Sequence, residues 1–115
     1  MAHYAGSCQC GNVRFEADTE IKEVISCNCS RCSRLGSLLA AVPRVKFKIV
    51  SDKGATIYKF NKHVIDHVFC STCGIQPYAT GKGPGGVEMA MINVRCVEGV
   101  DPESFKVMKF DGRSM

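Results

Sequence analysis

Hydrophobic and polar residues alternate along most of this chain in short runs, and the runs end at glycine, proline or a pair of cysteines. NVRFEAD (12–18) puts Val13, Phe15 and Ala17 on one side and predicts a half-buried strand. IKEVIS (21–26) reads as a strand that runs into a knot of cysteines. SRCSRLG (30–36) predicts one helical turn closed by Gly36, and LLAAV (38–42) an extended run stopped by Pro43. VKFKIV (45–50) alternates cleanly, which predicts Val45, Phe47 and Ile49 inward and both lysines outward, before a turn at SDKG (51–54). ATIYKF (55–60) and HVIDHVF (63–69) predict two further strands.

CSTCG (70–74) is a turn built around sulfur, IQPYAT (75–80) is extended and GKGPGG (81–86) is a loop. VEMAMINV (87–94) predicts a strand with Met89 and Met91 opposite Glu88, most simply as core. In VDPESF (100–105), Asp101 caps a helix start with Pro102 in its first position, and VMKF (107–110) is a last strand. There is no long 3.6-residue period and no βαβ unit. The expectation is a mainly β fold with little helix, one domain over residues 1–115, and metal ligands carried on turns.

Composition narrows the classes. The 115 residues are 45% hydrophobic, with eleven glycines and no tryptophan, which suits a small, turn-rich folded domain. The longest apolar stretch, LLAAV, is far short of the roughly 20 residues of a membrane span. MAHYAGSCQCG has neither the basic nor the apolar region of a secretory signal, so a cytoplasmic location is expected. There the eight cysteines serve as thiols or metal ligands. In a secreted chain they would instead offer four disulfides, although the close C-x-C spacings suit a metal knuckle better.

The formal charge of +4 points weakly to nucleic acid. Two zinc ions would add four positive charges and seven thiolates remove seven, leaving +1, so that case mostly disappears. The best basic stretch, KFKIVSDK (46–53), merely alternates charge with core residues. Nucleic acid is not an expected partner.

The cysteines carry the chemistry. Cys70-x-x-Cys73-Gly74 is a zinc knuckle, and Cys8-x-Cys10-Gly11 resembles it with a shorter spacer. Together the two pairs supply the four thiolates of a closed structural site. CNCSRC (27–32) then leaves Cys27, Cys29 and Cys32, three thiolates that hold a position open for water or substrate. The competing reading closes that site with Cys96, His3, His63 or His67. Spacing alone also permits another pairing, with Cys8 and Cys10 joining Cys29 and Cys32, and Cys27 joining Cys70 and Cys73.

GSCQCGNVRF (6–15), CNCSRCSRLG (27–36), FCSTCG (69–74) and INVRC…GVDPESF…FDGR (92–113) together resemble the glutathione-dependent formaldehyde-activating enzyme and centromere protein V family. The ordered set C-x-C, C-x-C-x-x-C, C-x-x-C-G is specific, and the resemblance covers nearly the whole chain. It implies a β-tent fold of small antiparallel sheets with two Zn2+ ions. The structural ion would be held by Cys8, Cys10, Cys70 and Cys73, the catalytic one by Cys27, Cys29 and Cys32. The implied activity is that of a carbon–sulfur lyase on a small thiol or thiol adduct, with S-(hydroxymethyl)glutathione, formed from glutathione and formaldehyde, as the namesake case. Many relatives carry histidine where Asn28 stands and arginine where Ser33 stands. The alternative from another class is a non-catalytic, zinc-stapled protein-interaction module.

Other side chains are weighed beside the cluster. Arg31 and Arg34 are candidates to bind a substrate carboxylate, against the plainer reading of solvated arginines. His63 and His67, four apart in a strand pattern, would share a face and could shuttle protons. Cys96 fits a buried inert thiol, and Tyr58 and Tyr78 fit packing. GKGPGG lacks the arrangement of a phosphate loop.

Overall fold

The alternation in NVRFEAD is realised in the computed structural model, which describes residues 2–60 and 62–114. In chain order the strands are β1 (His3–Ser7), β2 (Val13–Asp18), β3 (Glu23–Cys27), β4 (Leu39–Pro43), β5 (Phe47–Asp52), β6 (Ala55–Tyr58), β7 (Ile65–Cys70), β8 (Tyr78–Lys82), β9 (Glu88–Asn93) and β10 (Lys106–Phe110). One helical turn, α1 (Cys32–Leu35), is closed by Gly36 at φ 73°, a left-handed conformation that glycine adopts without strain. The protein is mainly β, as the alternation predicts. Among the described residues, no helix is long and apolar enough to cross a membrane.

The strands form two sheets. The smaller has the order β1-β2-β5 and the larger β10-β3-β4-β9-β8-β7-β6. Val13, Phe15 and Ala17 of β2 are buried between them, with Phe47 of β5 and Tyr78 of β8. The Phe15 and Phe47 rings stack at 5.7 Å, and Tyr78 meets Phe47 edge-on at 4.9 Å. This aromatic trio joins the sheets, and such pairs contribute about 0.5–1.5 kcal/mol each beyond their buried area.

Register gives the larger sheet two distinct faces. Ala40, Ile92, Tyr78 and Val68 lie side by side across β4, β9, β8 and β7, all buried against the smaller sheet. One residue along, Ala41, Met91, Ala79, His67 and Tyr58 form a row on the opposite face. Met89 and Met91 therefore do not occupy the main core, as the sequence suggested. Ala90 and Ile92 do, on the same side as Glu88, which is exposed only because it starts the strand.

Other boundaries shift for local reasons. Val45 is not an inward strand residue: it sits 90% exposed in a 3-10 turn at Arg44–Lys46, and the strand begins only at Phe47. Pairing then skips Val50, the extra residue of a bulge opposite Arg14 and Phe15. Ser51 and Asp52 stay in β5, so the turn narrows to Lys53 and Gly54. The helix start at Asp101 is a single 3-10 turn, capped by Asp101 Oδ1 accepting from the Glu103 N–H at 3.0 Å. β10 pairs parallel to β3, against an expectation of purely antiparallel neighbours, because the chain returns past the small sheet before re-entering at the edge.

Gly6 marks the tightest approach in the core. A Cβ there would lie 2.5 Å from Phe15 Cζ and 2.7 Å from the Cys96 carbonyl oxygen. Gly6→Ala should therefore cost about 1–3 kcal/mol through overpacking, read as a fall of several degrees in Tm. An unchanged melting curve would mean that Phe15 has room to move.

Candidate metal sites and an adjoining cavity

The turn after Ser7 and the turn at the end of β7 meet. They bring Cys8, Cys10, Cys70 and Cys73 together, with all four sulfurs within 4.8 Å of one another. Cys8 Sγ is 3.7 Å from Cys10 Sγ, and Cys10 Sγ is 3.6 Å from Cys70 Sγ. These separations are far beyond a disulfide's ~2.05 Å. They match the roughly 3.8 Å edge of a sulfur tetrahedron around zinc at about 2.3 Å. The alternative pairing, in which Cys8 and Cys10 join Cys29 and Cys32, is not the one the fold assembles.

Backbone N–H groups aim at these sulfurs. Val13 N donates to Cys8 Sγ at 3.3 Å, and Thr72 N and Cys73 N donate to Cys70 Sγ at 3.4 and 3.5 Å. Gly74, at φ 80°, turns the chain tightly enough behind the knuckle for the Ile75 N–H to face Cys73. That hydrogen bond pulls the Cys73 thiol down to about 6. Cys96 lies near this cluster but outside it, with its thiol against the Gln76 carbonyl at 3.8 Å. Burial, then the nearby Cys8 and Cys73, push it up to about 11, which suits an inert thiol.

The second cluster gathers Cys27, Cys29 and Cys32, again within 4.8 Å. Cys27 ends β3, Cys29 sits in the following turn, and Cys32 opens α1. Burial opposes ionisation of Cys29, but the Cys32 N–H, 3.3 Å from its sulfur, helps hold the thiol below its usual value. Cys32 is pushed up to about 12 by burial and by its two neighbours. Three adjacent thiolates repel one another, so full ionisation calls for a cation among them. Both clusters could hold a metal ion, and their soft thiolate donors suit zinc. Among the described residues, no histidine, carboxylate or further cysteine joins the three sulfurs within that distance.

The C-terminal segment packs against this second cluster. Asn28 N donates to the Phe110 carbonyl at 3.1 Å and Asn28 Nδ2 to Asp111 Oδ1 at 3.0 Å, while Asn28 Oδ1 accepts from Arg113 N at 2.9 Å. Asn28, one departure from the family pattern, is thus the clasp for the tail. Ser33, the other, is exposed, and its hydroxyl bonds back to the Ser30 carbonyl. Gly112 comes so close that a Cβ would sit 2.6 Å from Cys27 Sγ.

A cavity of about 390 Å³ opens beside the three sulfurs on the outer face of the larger sheet. Met91, Ala79 and His67 form its floor, and Phe60, Phe110 and Gly112 contribute walls. His67 is buried, and among the described residues its Nδ1 has no hydrogen-bond partner. Burial, reinforced by the Arg31 charge, holds its ring below the usual histidine range, so it is neutral at pH 7. His63 does not share its strand face: it lies in the preceding turn at φ 57°, exposed. His3, at the start of β1, is tied to Asp18 at the end of β2. Arg31 is not a free carboxylate clamp, since it donates to Gln76 Oε1 and lies over the Tyr58 ring at 5.5 Å. Arg34 folds back on the Ser30 carbonyl at 2.7 Å. Gln76 was missed in the sequence; its one signal is a polar side chain in the extended run just after the knuckle.

The glutathione-dependent formaldehyde-activating enzyme profile matches residues 3–108. The chain belongs to that family. A crystal structure of a Rhodobacter sphaeroides protein is similar at a TM-score of 0.77 and 28% identity, over 90% of this chain and 99% of that one. Family membership implies chemistry related to glutathione and formaldehyde.

Gly112→Val should push the tail off Cys27 and weaken metal retention at the three-cysteine cluster while sparing the four-cysteine one. Metal analysis beside a thermal melt checks this. Full metal retention in the variant would mean that the tail does not bear on the cluster.

Proposed function

We propose that this protein is a zinc-dependent carbon–sulfur lyase that forms and cleaves adducts of a small thiol with an aldehyde, S-(hydroxymethyl)glutathione being the family's namesake case. The observation that carries this reading is the cluster of three sulfurs beside a walled cavity. A purely structural site has no use for such a cavity, which weighs against the non-catalytic interaction module. In this reading residues 1–115 act as one zinc-binding domain. The reduced thiols that both sites require suit a cytoplasmic location.

Cys8, Cys10, Cys70 and Cys73 would hold a structural zinc ion, and Cys27, Cys29 and Cys32 a catalytic one. When bound at the second cluster, zinc supplies a positive centre that stabilises a substrate thiolate at neutral pH. Three cysteine thiolates against a doubly charged ion leave a net charge of −1, which favours holding and releasing a thiolate over strong carbonyl polarisation. In the synthetic direction the substrate sulfur forms a bond to the carbonyl carbon and the C=O π pair moves to oxygen. That oxygen takes up a proton, equal in number to the one the thiol lost. Cleavage runs these steps backwards. The His67 side chain lines the cavity floor and makes no hydrogen bond among the described residues, which supports a role in carrying that proton. Phe60 and Phe110 add apolar surface beside the site.

Purified protein should contain two zinc ions per chain by mass-spectrometric metal analysis. Cys73→Ser should abolish folding, because structural zinc in small domains contributes roughly 10–16 kcal/mol of apparent free energy. Cys29→Ser should melt nearer to the parent protein and lose one ion. The opposite ranking in circular dichroism melts would mean that the two roles are exchanged.

His67→Gln keeps the size and polarity of the side chain but removes its proton-carrying capacity. It should lower kcat for adduct formation by about 10²-fold or more while leaving two zinc ions bound. An unchanged kcat would remove His67 from the chemistry.

A further inference from the structure

The cavity's walls say more about the substrate than its sulfur end does. Ile25 and Leu39 pair across β3 and β4, and Phe60, Val64, Ile65 and Met91 continue the apolar lining. Lys62 is the one lysine or arginine among the described lining residues, and it is exposed. No carboxylate side chain lines the cavity among them. Gln76 Oε1 already accepts from Arg31, and Arg34 is turned to its own helical start.

Glutathione would bring two carboxylates and an ammonium to this surface. Burying ions without partners is costly, and hydrocarbon loses nothing there. The volume, about 390 Å³, is within the range of small-molecule sites, ~300–1,000 Å³.

We infer that the cavity selects a thiol whose organic group is an uncharged hydrocarbon, of benzyl or short-alkyl size, over a charged peptide thiol. This rests on the thiol-binding reading of the Cys27, Cys29 and Cys32 site. The sulfur sits toward the three cysteines, the hydrocarbon lies along Ile25, Leu39 and Met91, and the His67 ring lies beside the hydroxyl oxygen of the aldehyde adduct. The specificity-determining residues are the apolar ones at the rim and wall, Val64 and Phe60 in particular.

The test uses the full chain with cobalt in both sites, titrated separately with benzyl mercaptan and with glutathione while the sulfur-to-cobalt charge-transfer band is followed. Benzyl mercaptan should bind at least about tenfold more tightly, the scale of a hydrophobic-pocket difference. Val64→Lys adds a second cation at a position that is 67% exposed, so folding should be unaffected. It should weaken benzyl mercaptan, strengthen glutathione and shrink the ratio by about tenfold. Glutathione binding as tightly as benzyl mercaptan, or more so, overturns the inference and leaves the thiol-binding reading intact. An apolar preference that Val64→Lys does not alter overturns the assignment to this cavity. A band that responds to neither thiol removes the thiol-binding reading itself, and the inference with it.

Discussion

The meeting of four sulfurs from residues 8, 10, 70 and 73 is the constraint on which the rest of the structure depends. It ties the loop between β1 and β2, in the smaller sheet, to the end of β7 in the larger one. The two sheets share no strand, so their association rests on this tie, on side-chain packing and on the backbone bridge between Gly6 and Val97, beside which the Glu98 N–H donates to the Ala5 carbonyl at 2.9 Å. Once the turns are joined, β2 lies with its apolar face against β8 and β9, and Phe15, Phe47 and Tyr78 fill the space between. The aromatic contacts are worth a few kcal/mol, too little by themselves to offset the ordering of a chain this size. A cation among the four thiolates would relieve their mutual repulsion and add the missing stabilisation.

The second cluster has a different logic. Its three sulfurs come from six consecutive residues, 27–32, so no long-range tie is needed to assemble them. Long-range contacts instead surround them. β10 returns to lie parallel to β3 with Phe110 beside Cys27, and Asn28 clasps the tail through three hydrogen bonds. A site that only stabilised the fold would gain nothing from a wall built by a distant segment. The ligands are local and the walls remote, and the two meet at Gly112, which packs against the Cys27 sulfur.

Much of this was legible in the sequence, and the physical reasons separate what was from what was not. The spacings C-x-C, C-x-C-x-x-C and C-x-x-C-G constrain backbone geometry over a few residues, so they read directly. β2 read correctly because Val13, Phe15 and Ala17 leave no doubt which side is apolar. β9 did not, because Glu88 to Val94 is apolar on both sides: Ala90 and Ile92 face the core while Met91 faces the cavity, and a period of two defines faces without naming them. Val45 misled because alternation cannot register the 3-10 turn that follows Pro43. The parallel β10–β3 pair and the partnership of Arg31 with Gln76 join residues 45 or more positions apart, and no local pattern encodes either.

The same two-faced sheet explains why fold and chemistry are separable here. Residues of even and odd register in β7, β8 and β9 answer to different demands. Val68, Tyr78 and Ile92 pack the core, where a change of volume is felt throughout the domain. His67, Ala79 and Met91, each one residue away, face the cavity, where the neighbouring space is open. A substitution on the inner row therefore costs stability, and one on the outer row reshapes the cavity at little structural expense. The placement of His67 follows the same division: its ring lies on the outer row beside the cavity, away from the packed core, where a polar side chain with no partner among the described residues disturbs the least packing.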